Sequence, residues 1–285
     1  MLTVRKVFRS VGLVARYDKR KAITLAGTLT KHLKASGVEV YLEDTLAGKV
    51  GIKEKTLPLE GMKTDFIITI GGDGTILRTG VAIPKPEPPI LAVNMGIRGF
   101  LTEVEPEQAI DAVNRILKGD YTLQKCMKLK VEADGTSLPD ALNEVVATAD
   151  EPAKLLYAKI HAHGEHILDC QADGMMVATQ TGSTGYSLSA GGPVLAPGAN
   201  AFVLTPICPL NMFHPVVFPS DTVLTLQITK PQRILVLIDG KYRKITQSKQ
   251  PTITVARSKN VTSFIRFRQD FYHRLKSRLL FKGTE

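Results

Sequence analysis

Residues 65–75 read DFIITIGGDGT. The run from Phe66 to Ile70 offers no polar face, which is the pattern of a strand buried on both sides. Such strands belong to parallel sheets covered by helices, and a parallel sheet requires strands and helices to alternate along the chain. The flanking sequence alternates in that way. Lys6–Ala15 reads as a first strand. Residues 22–35 place Ile23, Ala26, Leu29 and Leu33 at helical spacing, with Gly37 as a stop. Val38–Leu42 reads as a short strand, 76–83 as a short helix ended by the prolines at 84, 86, 88 and 89, and Ile90–Val93 as another buried strand. A helix over 106–117 has Pro106 in its first turn and Gly119 just past its end.

Near residue 120 the pattern changes. Short, often alternating segments separated by turn residues predict antiparallel β-structure: Lys128–Val131 before Asp134–Gly135, Leu155–His163 before Gly164, and Val223–Ile228 before Lys230–Pro231. Residues 271–281 return to helical spacing through Phe271, Leu275 and Leu279. The expected domains are therefore 1–120, an α/β unit, and 121–261, an all-β unit.

The turn Gly71–Gly72–Asp73–Gly74–Thr75 is the first chemical feature. Three glycines in five residues let the backbone approach a ligand where a Cβ would clash. Backbone N–H groups just before a helix suit phosphates. Asp73 would repel a phosphate, so a carboxylate there suits a proton acceptor for an attacking hydroxyl, or a group that helps place a magnesium ion directly or through water. The bland alternative is a tight turn in which Asp73 caps the helix. No Gly-Lys-Ser/Thr ends the loop, and Leu77 stands where the dinucleotide fingerprint has its third glycine.

The second feature is Asp173–Gly174 followed by residues 179–193, TQTGSTGYSLSAGGP. Hydroxyls and free amides suit ribose and phosphate, and the Tyr186 ring can lie on a base.

The chain carries 37 Lys and Arg against 27 Asp and Glu, a net charge of +10. The excess sits at the two ends of the chain, and aromatic residues make up only 6%. That distribution argues against a nucleic-acid binder and fits a pull on anionic nucleotides. No run of about 18 apolar residues is present, so no membrane span is expected. The three cysteines are odd in number and widely spaced, as reduced thiols of a cytoplasmic protein would be.

These motifs in order, GGDGTIL (71–77), VNMGIRGFL (93–101), LNE (142–144), DGMMVAT (173–179), TGSTGYSLSAGGPVLAP (181–197), TPICP (205–209) and IDG (238–240), resemble those of the NAD kinase family. The resemblance implies an α/β N-terminal domain with a mostly parallel sheet, an all-β C-terminal domain, and a C-terminal segment, 262–285, whose helix returns to the first domain. The implied reaction moves the terminal phosphate of ATP, or of polyphosphate, to the 2′-hydroxyl of the adenosine ribose of NAD, with a divalent metal, magnesium, assisting. Asp73 matches the catalytic base. Gly72, Gly74 and Thr75 match phosphate-approach positions, and Arg78 is placed to contact a phosphate. Asn143 and Glu144 match the pair at the ribose or adenine, and Asp173 a carboxylate near the nicotinamide end. Thr184, Gly185, Tyr186, Ser187, Leu188 and Ser189 match the loop around the dinucleotide. Lys154, Gln171 and Thr181 match further contact positions. A homodimer or homotetramer is also implied. Departures are Gly185 where alanine is usual, Lys241 where glutamine is common, and Met95 and Arg98 in the VNMGIRGFL stretch.

Two other readings compete. A lipid kinase of the diacylglycerol or sphingosine type shares the glycine loop, but the LNE and GSTGYSLSAGGP segments argue against it. A non-catalytic dinucleotide sensor would keep the pocket without needing Asp73. His161, His163 and His166 read as an exposed hairpin rather than a metal site. Arg274, Lys276 and Arg278 read as the solvated side of the last helix.

Overall fold

Five parallel strands, four of them at apolar runs legible in the sequence, lie side by side in the first part of the chain. They are β1 (Ser10–Ala15), β2 (Glu39–Glu43), β3 (Lys55–Leu57), β4 (Phe66–Gly71) and β5 (Ile90–Asn94), in the order β3-β2-β1-β4-β5. Register sets Leu13 beside Ile68 and Ile70 beside Val93. The computed structural model describes residues 8–50, 55–96, 99–211, 213–268 and 271–279. Lys6 and Val7 of the expected first strand, Arg98, Phe281 and the Arg278 side chain lie outside the described residues.

All six residues of β4 are buried, as its almost wholly apolar run requires. Helix α1 (Arg20–Ala35) turns Ala22, Ala26, Leu29 and Leu33 inward and stops at Gly37, whose φ of +77° suits glycine. Helix α2 (Asp44–Val50) follows β2, and α3 (Asp73–Ala82) follows β4 directly. Helix α4 (Ala109–Lys118) is entered through a 3₁₀ turn at Pro106–Gln108, where Glu105 and Gln108 form a reciprocal capping box. Side chains of α1 and α4 share one core with Leu13, Phe66, Ile68, Leu91 and Val93.

The chain divides into two units, one comprising 1–125 and 262–285, the other 126–261. The second is built from antiparallel hairpins. Its strands are β6 (Thr122–Ala133, which begins in the first unit), β7 (Thr136–Ser137), β8 (Glu144–Ala149), β9 (Leu156–Ala162), β10 (Glu165–Ala172), β11 (Gly174–Thr179), β12 (Ala201–Ile207), β13 (Val216–Pro219), β14 (Leu224–Lys230), β15 (Arg233–Ile238), β16 (Tyr242–Gln247) and β17 (Thr252–Arg266). One sheet runs β13-β12-β11-β8-β15-β16; in the other, β10, β9, β14 and β17 are consecutive. The β9–β10 turn uses His163 and Gly164, both at positive φ, as a two-residue hairpin turn demands. Met175, Val177, Phe202 and Val236 of the first sheet meet Ile160, Leu226 and Ile253 of the second in one core.

From Thr262 the chain belongs to the first unit again, where Phe264 pairs in parallel with Ile90. The last helix, α6 (Phe271–Leu279), belongs to that unit too; a short helix, α5 (Tyr186–Ser189), lies within the second. One expectation fails here. Arg274 is not solvated but 6% exposed, with its guanidinium on Glu103 and on backbone carbonyls of residues 100 and 102. A buried carboxylate outweighs the polar pattern of the helix, because a guanidinium paired with a carboxylate and hydrogen-bonded to carbonyls is tolerated inside. No helix among the described residues is long and apolar enough to cross a membrane.

Candidate active site: a glycine turn and a buried carboxylate clamp

In the first unit the site is the β4–α3 turn. Gly71 must be glycine, since a Cβ there would lie 2.2 Å from Thr75 Oγ1. Gly72 caps α3 from an extended conformation, and its carbonyl accepts the amides of Thr75 at 2.9 Å and Ile76 at 3.4 Å. The amides of Asp73 and Gly74, at the very start of the helix, have no partner within it and suit an anion.

Asp73 does not cap α3. Its carboxylate turns away to the loop that follows β5 and accepts the Phe100 amide at 3.1 Å on Oδ2 and the Leu101 amide at 3.2 Å on Oδ1. Gly99 permits this approach, because a Cβ there would come within 1.9 Å of Oδ1. Each oxygen keeps a second lone pair for a proton or a ligand. Arg78 is engaged elsewhere: its guanidinium pairs through both nitrogens with Glu43, a carboxylate 5% exposed. A phosphate reaching Arg78 has to compete with that pair.

In the second unit the site is the turn Leu142–Asn143–Glu144 leading into β8. Asp239, at the end of β15 and 3% exposed, accepts three consecutive amides: Leu142 at 2.8 Å, Asn143 at 2.7 Å and Glu144 at 3.0 Å. Thr179 closes the other side. Its hydroxyl donates to Leu142 O at 2.6 Å and accepts the amides of Thr181 and Gly182, each at 3.1 Å. Gly182 lies directly on Asn143, where a Cβ would meet the Asn143 carbonyl at 2.2 Å. The turn is thereby fixed, yet Asn143 Oδ1, Glu144 Oε2 and Gln180 Oε1 are buried with no partner among the described residues. Orphaned buried acceptors carry a cost that a ligand's donors relieve. Burial, with the Asp239 charge as a second cause, pushes the Glu144 carboxyl up to about 8. Burial also raises Asp239, to about 6, against the pull of the three amides. Those amides favour the charge on Asp239, so at neutral pH the proton sits on Glu144, which can donate as well as accept.

The serine-rich loop is less available to a ligand than its composition suggests. Ser187 is fully buried with its hydroxyl 3.0 Å from Thr205 Oγ1, and Thr184 donates to Thr181 O at 3.2 Å. Ser183 donates to Gln180 O at 2.7 Å. These hydroxyls hold the loop. Tyr186 and Ser189 are exposed, and Gly185 and Leu188 half-buried. Asp173 is exposed, Gln171 half-buried, and Lys154 is an exposed side chain paired with Glu151. His161 and His166 face each other across the β9–β10 hairpin, rings 5.3 Å apart, and no group of three metal-ligating side chains occurs among the described residues. Sequence reasoning placed Asp239, Thr179 and Gly99 within motifs but gave them no role. For Asp239 the signal was a carboxylate closing an apolar strand.

The comparisons with known proteins agree with this geometry. Residues 11–121 match the model of the ATP-NAD kinase N-terminal domain, and residues 142–267 that of the C-terminal domain. A NAD kinase of Methanothermobacter thermautotrophicus is 37% identical over 278 residues, covering 96% of this chain and 98% of its own. One of Thermococcus sibiricus is 39% identical over 264 residues, covering 92% and 95%. Among solved structures, yeast NADH kinase in complex with NADH superposes with a TM-score of 0.88 at 23% identity, covering 99% of this chain and 90% of that one, a likeness of fold. A NAD kinase from Archaeoglobus fulgidus in complex with ATP superposes with a TM-score of 0.77 at 27% identity, covering 94% and 97%. The matched domains and relatives are those of a phosphotransferase. The chain belongs to the NAD kinase family.

Proposed function

We propose that the chain moves the terminal phosphate of ATP to the 2′-hydroxyl of the adenosine ribose of NAD, with Asp73 as general base. The observation that carries this reading is the carboxylate of Asp73, aimed by the Phe100 and Leu101 amides beside the open amides that start α3. The hydroxyl oxygen attacks the terminal phosphorus, its proton passes to Asp73, and the bond to the leaving oxygen breaks to release ADP. Phosphoryl transfer depends on positioning more than on covalent chemistry, and a positioned base is worth roughly 10²–10⁴ in rate. The Archaeoglobus relative in complex with ATP supports ATP as donor. Polyphosphate is the second donor to test.

A divalent metal, magnesium, supplies charge neutralisation on the transferred phosphates. The described residues contain no cage of three ligating side chains, so the ion would be held by phosphate oxygens and water, with Asp73 as its one carboxylate. Asn143 and Glu144 take the ribose hydroxyls or adenine through their orphaned oxygens. Tyr186 lies against a base, and Asp173 serves the nicotinamide end. A cytoplasmic homodimer or homotetramer is proposed with this activity. The thiols of Cys170 and Cys208 are free, as a reducing compartment keeps them.

The test incubates the protein with NAD, magnesium and either ATP or polyphosphate, and detects NADP with an NADP-specific dehydrogenase. NADP from wild type and only residual turnover from Asp73→Asn, roughly 10²–10⁴-fold lower, is the expected result. Full turnover by Asp73→Asn removes the base. Light scattering reads the oligomer.

A further inference from the structure

The loop that aims Asp73 is itself held from behind by two buried arginines near the end of the chain. Phe100 and Leu101 give their amides to Asp73. The carbonyls of the same stretch all accept from guanidinium groups. Arg274 Nη1 donates to Phe100 O at 3.1 Å and also to Thr102 O, while Arg266 Nη1 donates to Leu101 O at 2.9 Å. Both arginines converge on Glu103 Oε2, each at 3.0 Å, and the three charged side chains are at most 7% exposed. The rings of Phe100 and Phe271, at the start of α6, lie 6.2 Å apart.

The Phe100 carbonyl and the Leu101 amide belong to one peptide group. That group is planar, so fixing its oxygen fixes the direction of its N–H. Arg274 holds the oxygen and Asp73 Oδ1 receives the N–H at 3.2 Å. A cationic donor on the carbonyl also polarises the peptide and makes its N–H a stronger donor. Gly99 removes the side chain that would otherwise separate the loop from the carboxylate.

We propose that Arg274 is a positioning residue for Asp73, acting across the peptide group that joins Phe100 to Leu101. The inference rests on the reading of Asp73 as base. It gives α6 a part in the reaction though Arg274 touches neither Asp73 nor substrate directly. Arg266 and Glu103 complete the support by holding the next peptide group and fixing the Arg274 guanidinium.

The test compares Arg274→Gln and Arg274→Lys with Lys276→Gln, an exposed control on the same helix. Each is measured for kcat, for the KM of NAD, and for hydrogen exchange of the Phe100 and Leu101 amides, with folding checked by circular dichroism. Small misplacements of a catalytic group cost up to ~10²-fold. Arg274→Gln is therefore expected to lose ~10²-fold in kcat with the KM of NAD unchanged and the two amides exchanging faster. Lysine should restore part of the loss, since it keeps the charge but its compact ammonium lacks the planar fork whose two nitrogens reach the carbonyls and the carboxylate. Lys276→Gln should match wild type. A folded Arg274→Gln with wild-type kcat overturns the proposal, and if that variant does not fold, wild-type kcat in Arg274→Lys overturns it. In an Asp73→Asn background Arg274→Gln should cost nothing further, because the two act as one unit. An undiminished further loss there also overturns it. If Asp73→Asn turns over fully, the base reading fails and takes this one with it. If Asp73→Asn is inactive while both Arg274 variants keep wild-type kcat, only this inference fails.

Discussion

The carboxylate of Asp239 holds the backbone amide of Asn143 at 2.7 Å, across 96 residues of sequence. The same carboxylate takes the amides on either side, so one buried charge fixes the turn that presents Asn143 and Glu144.

Replacing Asp239 with asparagine removes the charge and turns one acceptor oxygen into a donor facing an amide. Hydrogen bonds to charged groups are worth about 1.5–3 kcal/mol each. Asp239→Asn is expected to lose about 2–4 kcal/mol of stability in urea unfolding. It should also raise the KM of NAD more than it lowers kcat, since the proposed role of the Asn143–Glu144 turn is to bind and not to react.

The raised Glu144 carboxyl makes stability depend on pH. The unfolded chain releases this proton near 4.5, whereas the folded protein keeps it up to about 8. Between those values the folded state binds the extra proton, so stability falls as pH rises and the contribution is gone above about 8. Asp239 adds a slope of the same sign that ends near 6. Urea midpoints between about pH 6 and 8 should therefore decline in wild type and decline less in Glu144→Gln.

Two glycines separate a ligand role from a packing role. Nothing lies within 4 Å of a Cβ built on Gly72, and its φ of −105° suits any residue. Gly72→Ala should keep its stability to within about 0.5 kcal/mol yet lose turnover if, as proposed, phosphates approach where the new methyl stands. Gly182→Ala should unfold more readily, since its methyl would sit 2.2 Å from the Asn143 carbonyl. Thermal melts beside NADP assays read both.

Arg78 is predicted to matter to folding as well as to phosphate. Arg78→Ala leaves Glu43 buried without its partner, at a cost of about 3–5 kcal/mol. The double variant Arg78→Met with Glu43→Leu should recover much of that stability. If it also keeps the wild-type KM for ATP, Arg78 makes no phosphate contact.

Much of the fold could be read from short-range pattern. The α1 stripe ending at Gly37 and the almost wholly apolar run of β4 announce themselves, because burial and helix stopping are local events. Helix α2 and strand β3 went unread: α2 buries only Leu46, and β3 is three residues with no buried side chain. The location of the glycine turn was legible in glycine spacing, but not its partners. The direction of the Asp73 carboxylate depends on residues 27 and 28 positions away, and that of Arg274 on a carboxylate 171 positions away. A helix pattern assigns an arginine to solvent by default, and only the fold reveals a buried acid beside it. The hydroxyls of Ser183 and Ser187 misled in the opposite sense, since composition does not distinguish a side chain that meets a ligand from one that ties its own loop.

The first unit is interrupted in the chain: its closing segment, which carries Arg266 and Arg274, begins only at Thr262. On the ribosome, where domains emerge from the N-terminus onward, the turn that bears Asp73 leaves the exit tunnel long before the residues that brace its supporting loop. The intervening β-unit is translated in full during that wait. A nascent chain stalled before Thr262 thus holds every residue of the glycine turn but neither Arg266 nor Arg274.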